Sequence, residues 1–200
     1  MTEILKVGNV AARKAAQVLK NDGVIIYPTE TSYGMGGSVK SFKAIRKIKK
    51  IKGRDARKPI SIIVSDEKMA VRYCKLGKNS KKLIRKFMPG PLTLVVPKKK
   101  TVPDSLSRKG IAFRIPANKF ARDMCNELGA AITATSANFS SEPANYSAKK
   151  IIEKFDVKVD LVIDAGRLPK RKASTLFDVG KGIVLRKGKI SEKKILGVLE

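Results

Sequence analysis

Short apolar runs bounded by turn residues alternate along this chain with segments whose apolar residues recur every three or four positions. That alternation constrains the fold more than any other feature, because the first pattern suits buried strands and the second suits helices with one buried face. Val24-Ile25-Ile26-Tyr27 lies between Gly23 and Pro28, and Ile60–Val64, Leu92–Val96, Ile111–Ile115, Ala131–Thr135 and Leu161–Ile163 are runs of the same kind. Between them, helices are expected from Asn9, as cap, to Lys20 with Val10, Ala15, Val18 and Leu19 inward, and after Ser41 with Phe42, Ile45, Ile48 and Ile51 inward. Further helices are expected over Asp66–Cys74, Ser80–Phe87, Ala117–Leu128 stopped by Gly129, Ser147–Phe155, and after Ser191. Leu176–Val179 and Ile183–Arg186 read as a hairpin across Gly180-Lys181-Gly182, and Pro97–Gly110 as an exposed loop. No linker or repeat divides the 200 residues, which gives one α/β domain over 1–200 with a twisted mixed sheet and flanking helices.

Composition excludes several chemistries. The chain has no histidine, so serine–histidine and cysteine–histidine triads are ruled out. Its two cysteines, Cys74 and Cys125, are too far apart in sequence for a zinc cluster and suit small buried groups in a reducing interior, with a disulfide between them the lesser alternative. No run of eighteen apolar residues could span a bilayer, and the N-terminus reads as the start of the folded domain, so a cytoplasmic location is expected. Lys and Arg number 44 against 17 Asp and Glu, a net charge of +27 that favours nucleotides, tRNA or other polyanions as partners.

Five segments could carry chemistry. In Tyr27–Gly37 (YPTETSYGMGG) a strand runs into a loop of hydroxyls and glycines that lets a ligand approach the backbone, yet it fits neither the dinucleotide fingerprint nor a Walker loop. Lys40–Lys58 holds ten basic residues and one acid, with Lys52, Arg54 and Lys58 expected beyond the helix in a loop suited to phosphates. Thr133–Asn138 turns abruptly from apolar to polar at Ser136 and Asn138, at the strand end where open α/β sheets bind ligands. Arg114, inside the apolar FRIP run, needs an anionic partner if buried, and otherwise faces solvent at a sheet edge. Ser174 precedes a strand and Arg186 ends its hairpin partner.

Taken together and in this order, PTETSYG, KGRDARKP, PGPLTLVVPK, FRIP, ATSANFSSEPA, STLFD and VLRKG resemble the YrdC-like family of threonylcarbamoyl-AMP synthases, from about Tyr27 to Gly188. The resemblance implies a concave basic cavity and a reaction joining L-threonine, bicarbonate and ATP, with Mg2+ arriving on ATP. It implies catalytic roles for Lys52, Arg54, Ser136 and Asn138, threonine contacts from Thr31, Arg114 and Ser174, and ATP contacts from Arg54, Lys58, Ser136 and Arg186. It also implies a downstream threonylcarbamoyl transferase and tRNA or double-stranded RNA as partners. Lys58 stands where many members have asparagine, Ile63 where some have histidine, and the end at Glu200 matches the short single-domain form. Two other readings compete. A non-enzymatic RNA-binding module fits the charge but has only 6% aromatic residues for stacking. A carbamoyl-AMP-forming domain of the hydrogenase-maturation type would ordinarily come with zinc modules, for which this chain lacks the Cys/His clusters.

Overall fold

A computed structural model describes residues 1–55, 57–140 and 142–200; Ala56 and Ser141, which fall within two of the family-like segments, lie outside the described residues. In chain order the elements are β1 (Glu3–Lys6), α1 (Asn9–Lys20), β2 (Ile25–Pro28), β3 (Tyr33–Gly36), α2 (Phe42–Lys52), β4 (Ser61–Ile63) and α3 (Glu67–Val71). They continue as α4 (Lys78–Phe87), β5 (Leu92–Pro97), β6 (Gly110–Arg114), α5 (Lys119–Leu128), β7 (Ile132–Ser136), α6 (Ala148–Phe155), β8 (Leu161–Asp164), β9 (Thr175–Asp178), β10 (Ile183–Arg186) and α7 (Glu192–Leu196).

The strands form one sheet in the order β1-β8-β2-β3-β7-β4-β6-β5-β9-β10. It is mixed: β1 and β2 run parallel to β8, β4 to β6 and β5 to β9, whereas β3 is antiparallel to β2 and β7, and β5 to β6. Every residue of β2 and β3 is buried, with α1 and α5 packed against β2 and α2 against β3. Tyr27, Tyr33, Phe113, Phe155 and Phe177 are the bulkiest fully buried side chains of a continuous core, with α1 packed against α5 beside it. Cys74 and Cys125 are free and buried, and burial pushes the Cys74 thiol up to about 12 and raises that of Cys125, so both act as apolar fillers rather than a disulfide.

Caps behave locally as the sequence requires. Ser41, Asp66, Asn118, Ser147 and Ser191 each accept a hydrogen bond from the backbone N–H three residues on. Four expectations are corrected. Gly8, not Asn9, occupies the cap position of α1 without any side-chain cap. The buried face of α1 is Ala11, Ala12, Ala15, Ala16 and Leu19, so Val10 is left 78% exposed; small residues permit the close approach to α5. Phe42 is 65% exposed, because Ala44, Ile45 and Ile48 already form the inward stripe of α2. Tyr33–Gly36, expected as a loop, is a central strand. Its glycines suit it to that place: a Cβ on Gly36 would sit 2.5 Å from the Thr133 carbonyl and 2.9 Å from the Tyr27 ring.

Candidate active site

The hairpin between β2 and β3 is tied by Thr29, whose hydroxyl accepts from the N–H of Thr31 (3.1 Å) and Ser32 (3.2 Å) and donates to the Ser32 carbonyl (2.7 Å). This Thr-based turn holds Thr31 at the rim of a hollow of about 350 Å³. Tyr33 also lines the hollow, and its hydroxyl donates to the Gly166 carbonyl and accepts from Ala165 N–H, both at 2.9 Å.

Into the same hollow β6 brings Arg114, 8% exposed, and its anionic partner is Glu30 from the hairpin, 2.9 Å from Nη1. Glu30 also accepts from the Asn118 N–H at 3.4 Å, so the carboxylate is fixed by β6 and the cap of α5 together. With both side chains about one-tenth exposed, neither charge has water as an adequate alternative. Glu30→Gln keeps an acceptor for Arg114 but removes the counter-charge; an expected loss of about 1–2 kcal/mol in stability would appear as a lower denaturant midpoint at unchanged slope.

From the far side, β10 sends Arg186 back to Ser174, donating from Nε (3.2 Å) and Nη2 (3.1 Å) to its carbonyl and from Nη2 (3.0 Å) to its hydroxyl. The Ser174 hydroxyl lies 2.8 Å from that of Thr93 on β5, so β5, β9 and β10 jointly set the position of this arginine. Partial burial and the nearby Arg114 both hold the Arg186 pKa below its ordinary value.

The left-handed Gly53 (φ 58°) ends α2 and turns the chain so that Arg54 enters the hollow. One Arg54 Nη2 donates to the Pro59 carbonyl at 2.8 Å, whereas Nε is sealed from solvent with no partner among the described residues. Burial lowers its pKa as well. Ser136, at the end of β7 opposite Gly34, also lines the hollow.

Six of the residues singled out from sequence therefore share one cavity: Thr31, Arg54, Arg114, Ser136, Ser174 and Arg186. Lys52, Asn138 and Lys58 do not line it. Lys52 is the last residue of α2 rather than part of the following loop, and it is 2% exposed. Its Nζ donates to the carbonyls of Ser136 and Asn138, both at 2.5 Å, and to Asn138 Oδ1 at 3.3 Å. Burial, reinforced by Arg54, pushes its pKa down to about 8. Asn138 turns its amide away from the hollow, donating to the carbonyls of Phe139 (2.8 Å) and Glu142 (2.5 Å). Lys58 is exposed.

Residues the sequence did not single out also line the cavity, among them Thr93, Tyr146 and Arg171. Arg171 sits in the basic run Arg167-Leu168-Pro169-Lys170-Arg171-Lys172, where nothing local separates it from its neighbours. Among the described residues four guanidinium groups line the hollow and no carboxylate does, Glu30 pairing with Arg114 without itself lining it. Among the described residues no group of three or more Cys, Asp or Glu could cage a metal ion, and no helix is long and apolar enough to cross a membrane.

The mixed α/β sheet thus carries a hollow lined by arginines and, among the described residues, by no carboxylate, a setting whose field favours anions. The family model Sua5_yciO_yrdC, with the description telomere recombination, matches residues 17–188, and the chain belongs to the Sua5/YciO/YrdC family. Threonylcarbamoyl-AMP synthase of Pyrococcus abyssi is 33% identical over 192 residues, covering 94% of this chain but only 56% of the relative. That of Thiobacillus denitrificans is 34% identical over 171 residues, covering 84% of this chain and 90% of the relative. Among solved structures, P. abyssi Sua5 complexed with L-threonine superposes with a TM-score of 0.93 at 29% identity, over 100% of this chain and 61% of that one. Escherichia coli YciO, at 24% identity and a TM-score of 0.89 over 98% and 100%, shares the fold.

Proposed function

We propose that this chain is a threonylcarbamoyl-AMP synthase, a nucleotidyltransferase acting on L-threonine, bicarbonate and ATP. The observation that carries the reading is the single hollow in which Arg114 with Thr31 and Ser174, suited to an amino-acid carboxylate and hydroxyl, faces Arg54 and Arg186, suited to phosphates. The relatives that bear this name, and the L-threonine complex of one of them, support it.

The reaction needs little acid–base machinery. Threonine's ammonium and bicarbonate give a carbamate, water and a proton. The carbamate oxygen then forms a bond to the α-phosphorus while the bond to the β-phosphate bridging oxygen breaks, its electron pair leaving with pyrophosphate. Two anions must meet in line, so the demand is for positive charge and orientation, which a histidine-free protein can meet. Arg114 would pair with the threonine carboxylate, and Arg54 and Arg186 with the phosphates, Ser136 supplying a neutral hydrogen bond between them. Lys58, exposed beside this rim, would reach ATP as it enters, and Lys52 with Asn138 would hold the backbone that carries Ser136. Magnesium would arrive on ATP as part of the substrate, since among the described residues no carboxylate lines the hollow to hold it otherwise. The product would pass to a threonylcarbamoyl transferase for tRNA modification in the cytoplasm, and the +27 charge suits transient contact with tRNA or another duplex RNA.

Incubation with ATP, bicarbonate and each of several amino acids tests the reading, with pyrophosphate and the adenylate followed by mass. Threonine-dependent adenylate is expected. AMP formation driven instead by carbamoyl phosphate, or salt-sensitive RNA binding with no turnover of any nucleotide, would overturn it.

A further inference from the structure

Three of the four guanidinium groups in the hollow already have protein partners. Arg54 donates to Pro59, Arg114 pairs with Glu30, and Arg186 holds Ser174. The Arg171 side chain makes no hydrogen bond or ion pair to any described residue, although it too lines the hollow. Its setting explains how it is presented. The chain is fastened on one side by Leu168 N–H to the Tyr146 carbonyl (2.8 Å) and on the other by Lys189 N–H to the Ala173 carbonyl (3.2 Å). Between these anchors residues 169–172 are exposed, and their one hydrogen bond to the described residues runs from the Tyr146 hydroxyl to the Arg171 carbonyl at 3.5 Å. Tyr146 lines the same hollow. The strap is therefore pinned by its backbone and leaves the fork of Arg171 unengaged at the mouth.

We infer that Arg171 is a contact for the terminal phosphates of the nucleotide, closing on the oligophosphate tail and remaining with pyrophosphate as it departs. The inference rests on the reading of the site as one that cleaves a nucleoside triphosphate at its α-phosphorus. Charge supply favours it. Glu30 offsets Arg114, which leaves Arg54 and Arg186 against a triphosphate and a carbamate, and negative charge builds on the leaving group as the bond breaks. An unengaged planar fork can take two phosphate oxygens at once without giving up an existing bond. A general pull from the surrounding basic run would act differently, since it depends on charge and not on which residue faces the hollow.

The test uses the whole chain and inorganic tripolyphosphate as probe, titrated calorimetrically at fixed ionic strength. Arg171→Gln should weaken binding about tenfold, the loss expected for one charge-assisted contact. Lys172→Gln, which removes the same charge one residue away from a side chain that does not line the hollow, should weaken it by less than about threefold. Arg171→Lys should fall between. In turnover, Arg171→Gln should raise KM for ATP while leaving KM for threonine unchanged. Equal effects of the Gln variants at 171 and 172, or no effect at 171, would overturn the inference even if the native chain makes the adenylate. A native chain that makes none, while the tenfold difference persists, would instead remove the proposed reaction and leave Arg171 as an oligophosphate contact.

Discussion

Arg54→Ala is expected to lower ATP- and threonine-dependent pyrophosphate release by about a hundredfold or more, the scale of losing one preorganised donor from a charge-developing site. The expectation follows from the state of this side chain before any ligand is present. Its Nη2 is bound to Pro59 at 2.8 Å, which fixes the direction of the fork, while Nε is sealed away without a partner among the described residues. A buried donor left unmade costs roughly 1–3 kcal/mol, so the free protein already holds this guanidinium at a cost, and the ligand is met by the nitrogens that face the hollow. Burial also lowers the pKa of the guanidinium. Truncation should leave the fold largely intact, because the lost bond to Pro59 is solvent-accessible. Arg54→Lys should recover little: one ammonium cannot hold Pro59 and reach the ligand together. Steady-state pyrophosphate release under saturating substrates decides the matter, and an Arg54→Ala chain turning over at the native rate would remove Arg54 from the site.

Most of the sheet was legible because its strands are β-branched runs closed by Gly or Pro, and the helices because Ser41, Ser147 and Ser191 carry their own caps. Tyr33–Gly36 escaped for a physical reason. Glycine reads as a turn, yet here it is needed to bring β3 close to Tyr27 and β7. The site divides along the same line. Residue types were visible, and resemblance to the YrdC-like family named nine residues of which six share the hollow, whereas partnerships depend on distance in space. Glu30 and Arg114 are 84 positions apart, and Lys52 meets its acceptors at 84 and 86 positions. A lysine closing a helix before Gly53 is indistinguishable in sequence from the solvated lysines beside it, and only the arrival of β7 buries it. Arg171 is hidden in the same way, within a run of equally basic neighbours.

Lys52→Met should lower kcat by about a hundredfold with little change in ATP affinity, a pattern expected when a reacting geometry slips by about an ångström while the ligand contacts survive. The ammonium lies beneath the end of β7 and not in the lining of the hollow, and its three acceptors are Ser136 O, Asn138 O and Asn138 Oδ1. It thus gathers the turn that carries Ser136. Three acceptors use all three hydrogens of a protonated amine, whereas a neutral amine offers two and turns a lone pair toward the third. Burial has brought the pKa to about 8, below the ordinary 10.5, so the proton is lost as pH rises through about 8 and the clamp weakens on the alkaline side. Native kcat should accordingly fall above that pH, and the methionine variant should show no such limb. The stability effect has the opposite sense. Because the unfolded chain holds this proton up to about 10.5, the penalty for burying the charge is greatest below about pH 8 and fades between the two values. Pyrophosphate release across neutral and alkaline pH, with ATP affinity measured separately, distinguishes the roles. A Lys52→Met chain that loses ATP affinity at constant kcat would mean that the ammonium acts on the phosphates directly.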